Sequence, residues 1–149
     1  MIYYLIASIL IAVAALFART KRAVLAAGIL FYAVQIAAAG LLLWGGLYDT
    51  TSAAFFTFDA LGTLFYLLLV VVSMYVFGHS EAYLQGEDLR SYRLYFALLM
   101  LLTTAIAGAY FANNLAVTWI FLEATTLCSA GIIYHRRTAQ ALEAAWKYV

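Results

Sequence analysis

Residues 115–134 read LAVTWIFLEATTLCSAGIIY, a stretch with one formal charge, on Glu123. A helix rises about 1.5 Å per residue, so a run of this length spans about 30 Å, the thickness of a bilayer's hydrocarbon core. Lipid offers the backbone no hydrogen-bond partner, which leaves a helix as the form such a run takes. A carboxylate near the middle of a membrane helix costs about 2.5–3.5 kcal/mol on insertion scales. Charges at such positions mark ion paths, proton relays or buried ion pairs. Glu123 is therefore the first candidate functional residue. The bland alternative is a static buried carboxyl, kept neutral by its apolar setting or paired with a distant Arg or Lys.

The neighbours of Glu123 favour an active role. Ala124, Cys128 and Gly131 recur at four- and three-residue spacing and form a close-packing face. Trp119 and Thr126 lie about one turn from Glu123. A small, hydroxyl-lined surface leaves room for water, and a carboxylate beside water exchanges protons.

Outward from this stretch the same pattern repeats. The chain has 149 residues, 68% hydrophobic and 10% charged, where a soluble domain carries about 25% charge. Apolar runs cover residues 2–18, 23–47, 60–78, 94–112 and 115–134, and a sixth begins near 141. This predicts an all-α polytopic membrane bundle of five full spans plus the start of a sixth, in one domain over 1–149. Proline is absent, so no proline kink is expected. Strands of a membrane barrel would be about half as long and alternating.

All eight basic residues, Arg19, Lys21, Arg22, Arg90, Arg93, Arg136, Arg137 and Lys147, follow odd-numbered runs. They therefore share one side, and Asp49, Asp59, Asn113 and Asn114 share the other. The positive-inside rule puts the N-terminus outside and the basic loops in the cytoplasm. A signal peptide carries its positive charge before its apolar core, the reverse of the order here. Tyr3, Tyr4, Trp44, Tyr48, Tyr92, Tyr110 and Tyr134 sit near run ends as an aromatic belt. A net charge of +1 implies no nucleic acid. The single cysteine, Cys128, excludes a disulfide framework, and no CxxC or His/Cys cluster marks a metal, haem or iron–sulfur site.

Five further polar side chains bear on function. Asp59 opens the third run and reads first as an N-cap at the outer interface. His79, at the cytoplasmic end of that run, is a lone interfacial histidine. Gln35 lies mid-run in the second span and reads as an interhelical hydrogen bond. Glu143 and Lys147 are four apart, the spacing of a surface ion pair, unless Lys147 faces the bundle.

The motifs Trp119-Ile120-Phe121-Leu122-Glu123-Ala124-Thr125-Thr126-Leu127 and Glu143-Ala144-Ala145-Trp146-Lys147-Tyr148 together resemble the antiporter-like membrane subunits. These belong to respiratory complex I, multisubunit cation/proton antiporters and energy-converting hydrogenases. The F component of hydrogenase-4 and its formate hydrogenlyase relatives look most similar, and Phe58-Asp59-Ala60-Leu61-Gly62 fits the family's third helix. The resemblance implies that Glu123 is the key carboxylate of the fifth helix and that Lys147 matches a lysine at the start of the sixth. His79 and Asp59 would be accessory at most. It implies a multi-pass subunit of the cytoplasmic (inner) membrane that moves protons. Its partners would be other membrane subunits and a peripheral redox module carrying iron–sulfur, nickel or flavin, with no cofactor in this chain. It also implies incompleteness: about the first third of such a subunit is covered, and the seventh-helix lysine and second repeat are missing. A fragment, or a split subunit completed by a second chain, is expected. The alternatives are a stand-alone cation/proton antiporter component and a non-transporting membrane anchor.

Overall fold

The computed structural model describes residues 1–45, 55–136 and 138–148. Every named element among them is helical: α1 (Ile2–Leu16), α2 (Lys21–Leu43), α3 (Ala60–Tyr83), α4 (Leu89–Tyr110), α5 (Leu115–Ile133), a 3-10 turn (Tyr134–Arg136) and α6 (Ala139–Tyr148).

Local capping sets the ends and shifts several from their expected places. α1 stops at Leu16 with Phe17 as C-cap, and Thr20 caps α2 by accepting from the Ala23 amide at 3.2 Å. The turn between them takes Phe17 and Ala18 out of the first run. The remaining helix rises about 22 Å, short of the hydrocarbon core. Four helices, α2 to α5, are long and apolar enough to cross a membrane. The expectation of five full spans is thereby corrected to four such helices and a shorter apolar first helix. α2 starts two residues early, because Lys21 and Arg22 form its first turn, and a positive φ of 72° at Gly45 follows its end. The expected end of that span at residue 47, with Tyr48 and Asp49, lies outside the described residues, as does Arg137. α3 runs on to Tyr83 rather than stopping at 78. α4 begins at Leu89 rather than 94, because Asp88 accepts from the Arg90 and Ser91 amides at 3.1 and 3.4 Å. Asn114 caps α5 through the Ala116 amide at 2.8 Å.

α4 is the central helix. It packs against α1, α2, α3 and α5, and it buries Tyr92, Phe96, Met100, Thr103, Ala107 and Gly108. Its two neighbouring aromatic seats depend on missing side chains. A Cβ on Gly28 of α2 would lie 2.0 Å from Phe77 Cζ, and one on Gly108 would lie 2.3 Å from Phe121 Cε1. Only glycine lets these rings approach.

Both ends of the bundle are tied. At one end the Lys21 ammonium donates to the carbonyls of Gln85 at 3.1 Å and Glu87 at 2.7 Å and sits 5.2 Å from the centre of the Tyr92 ring. Arg93 donates to the Ala18 carbonyl at 3.1 Å. The α1–α2 and α3–α4 turns therefore meet, and their basic residues share one end, as the alternation of apolar runs requires. At the other end Thr57 N donates to Phe111 O and Asn113 N to Phe55 O, both at 2.8 Å, in an isolated antiparallel bridge.

Candidate functional site

α5 packs on α4 with the face its small residues define. A Cβ on Gly131 would meet Leu98 of α4 at 2.8 Å. Ala124 and Cys128 line a groove of about 270 Å³ with Leu101, Thr104 and Ala105 of α4 and Ile9 of α1. Glu123 is one residue away from that face. One residue is about 100° around a helix, and this offset carries the carboxylate off the interface.

Glu123 is accordingly exposed, beside exposed Trp119, Ile120, Leu122 and Leu127. Among the described residues no element covers it, since α5 packs mainly against α4, α6 and the 3-10 turn on its other sides. The expectation of a buried glutamate is not confirmed: within the described residues its side of α5 is open. The hydroxyls around it are engaged with their own helix. Thr125 and Thr126 both donate to the Leu122 carbonyl, at 2.7 and 3.2 Å. Their protons are thus committed to the backbone.

Lys147 donates to Glu143 Oε1 at 2.6 Å, with the two side chains 71% and 67% exposed. This is the surface pair that the spacing suggested. Asp59 is the N-cap of α3, accepting from Gly62 N at 3.0 Å, while its carbonyl accepts from the Thr63 hydroxyl at 2.7 Å. His79 is exposed at the far end of the same helix, its ring 6.3 Å from that of Tyr75. The four sequence candidates do not form one site. Asp59 and His79 occupy opposite ends of α3, Glu123 is near the middle of α5, and Lys147 is on α6.

The structure gathers polar groups elsewhere. Gln35, fully buried, is the hub of α1, α2 and α3. Its Oε1 accepts from the Tyr4 hydroxyl at 2.5 Å and the Tyr66 hydroxyl at 2.8 Å, and its Nε2 lies 3.5 Å from Ser8 Oγ. A cavity of about 20 Å³ beside Tyr4 and Tyr66 has room for about one water. The hub was legible as a mid-span glutamine. Its partners were not, since Tyr4 reads as interfacial belt and Tyr66 as one aromatic in an apolar run.

His135 was also missed, as a polar residue closing a span. It is 7% exposed, its Nδ1 lies 2.8 Å from the Ile132 carbonyl, and its ring meets Tyr95 edge-on at 5.2 Å. Its Nε2 is buried with no hydrogen-bond partner among the described residues. A carbonyl only accepts, so Nδ1 is the donor in this contact.

No protein-family model matches the chain. It is 29% identical over 101 residues to a protein described as "Hydrogenase-4 component F homolog" from Methylacidiphilum infernorum (isolate V4). That alignment takes in 64% of this chain and 21% of the relative, so the chain spans about a fifth of the curated relative it matches. No solved structure matches.

Proposed function

We propose that this chain is part of a proton-translocating membrane subunit of a hydrogenase- or NADH dehydrogenase-type redox complex. The observation that carries the reading is Glu123: a carboxylate near the middle of an apolar helix of membrane-spanning length, on a side that no described element covers. A charge facing hydrocarbon costs about 2.5–3.5 kcal/mol. It is stable there if a polar surface or a cation covers it, and the chain's small share of its relative's length leaves ample protein to do so. The similarity to a hydrogenase-4 component F homolog supports the redox setting.

In this reading, iron–sulfur, nickel or flavin centres of partner subunits do the electron chemistry. The energy released is converted to ion movement as Glu123 is loaded with a proton and unloaded. The basic end of the bundle faces the cytoplasm across the inner membrane. Each charge moved across the membrane does work of about 2.3 kcal/mol per 100 mV.

The test is Glu123→Gln in the assembled complex, reconstituted in sealed vesicles. Gln keeps size and hydrogen bonding but exchanges no proton. Assembly and electron transfer to artificial acceptors persist, and most proton translocation is lost. Normal pumping by a well-assembled variant would refute the carrier role. Failed assembly would instead mark a structural ion pair with an orphaned cation. Lys147→Ala in the same vesicles separates a relay lysine, whose loss slows pumping, from the surface partner of Glu143, whose loss does not.

A further inference from the structure

We propose that the groove between α2 and α3 seats one acyl chain of an anionic phospholipid, with the lipid phosphate at Arg22. Ile29, Ala33 and Ile36 of α2 and Met74, Phe77 and Gly78 of α3 line a volume of about 370 Å³. The Phe77 ring against Gly28 holds the helices together at the floor. Above it Ala33 and Gly78 leave the space open, since a Cβ on Gly78 would meet nothing within 4 Å. No polar group faces in. The Tyr32 hydroxyl, the nearest candidate, donates inward to the Ser73 carbonyl at 2.8 Å.

The surroundings say what fills the groove. Its flanks are exposed, bulky and apolar: Leu30, Leu68, Val71 and Val72 beside Ile29 and Met74. The outer side of α5 instead carries a carboxylate, which marks a protein-facing surface. Arg22, Ile29 and Ile36 are seven apart, so they form one stripe along α2. Between Arg22 and Ile36 the helix climbs about 21 Å. One leaflet of hydrocarbon is about 15 Å deep, and the rest is headgroup depth. The stripe therefore matches one acyl chain with its phosphate. Arg22 is exposed and makes no hydrogen bond or ion pair among the described residues.

The chain is purified in detergent and titrated by native mass spectrometry with phosphatidylglycerol or phosphatidylcholine. The wild type retains one phosphatidylglycerol with about fivefold preference, the effect of one basic residue near an anionic headgroup. Arg22→Gln removes the preference. Gly78→Leu fills the groove and lowers retention of both lipids with an unchanged unfolding midpoint. Equal retention of the two lipids, or undiminished retention by Gly78→Leu, would overturn the proposal. So would a photo-crosslinker at Ala33 that captures a polypeptide in native membranes.

Discussion

The Tyr66 hydroxyl donates to the side-chain oxygen of Gln35 at 2.8 Å, joining α3 to α2 between two buried side chains. Gln35→Leu removes the side-chain acceptor shared by Tyr66 and Tyr4, leaving the Tyr66 hydroxyl only the residue-35 carbonyl at 3.1 Å and the half-buried Tyr4 hydroxyl without that acceptor. The expected cost is about 1–3 kcal/mol. Tyr66→Phe removes one donor, and about 0.6 kcal/mol is typical for a hydrogen bond between membrane helices. Unfolding in graded denaturing detergent measures both. A Gln35→Leu protein as stable as the wild type would show that the network contributes no stability.

The contact of Phe77 with Gly28 has a matching test. Gly28→Ala drives a methyl into the ring and costs about 1–3 kcal/mol, the range for an overpacked core. Phe77 also meets Tyr32 and Phe96 edge-on, at 5.2 and 4.7 Å between ring centres, so Phe77→Leu alone is destabilising as well. The double variant is expected to be more stable than the sum of the two losses predicts. Strict additivity in the same unfolding assay would reject the steric coupling.

Sidedness is open to chemical labelling. With Cys128 replaced by serine, a cysteine at Gln85 lies at the basic end, and one at Asn113 lies at the end of the Phe56–Ala112 bridge. An impermeant thiol reagent added to intact cells is expected to label Asn113→Cys only. Labelling of both, or of Gln85→Cys only, would reverse or dismiss the orientation.

The cap of α4 gives a pH signature. A hydrogen bond from the Ser91 hydroxyl, aided by the Ser91 and Arg90 amides, holds the Asp88 carboxyl below its ordinary range. A carboxyl whose folded value lies below its unfolded one stabilises the fold above the unfolded value. That contribution fades as pH falls through the folded value. The thermal midpoint of the wild type should exceed that of Asp88→Ala near neutral pH. The two should converge as the pH drops below the usual carboxylate range. A gap that persists in acid would assign the effect to packing.

The apolar runs were legible because hydrocarbon fixes helix length and lipid forbids unpaired backbone. The faces were legible only in part. The spacing of Ala124, Cys128 and Gly131 identified the side of α5 that meets α4. It left Glu123 looking buried, because periodicity tells which residues share a side and not which neighbour covers it. The length of α1 turned on Thr20, whose capping value emerges only when α2 is seen to start at Lys21. His135 was hidden by its sequence neighbours Arg136 and Arg137, which make the segment read as a solvated loop.

The clasp between the first and third turns bears on biogenesis. α1 is short of a full crossing, and its end is held by Arg93 on the Ala18 carbonyl, while the turn that follows is held by Lys21 on the carbonyls of Gln85 and Glu87. These contacts require chain that leaves the ribosome some seventy residues later. A nascent chain arrested before α4 should therefore hold its first helix loosely. Protease access to residues 17–20 should close only once α4 has been synthesised.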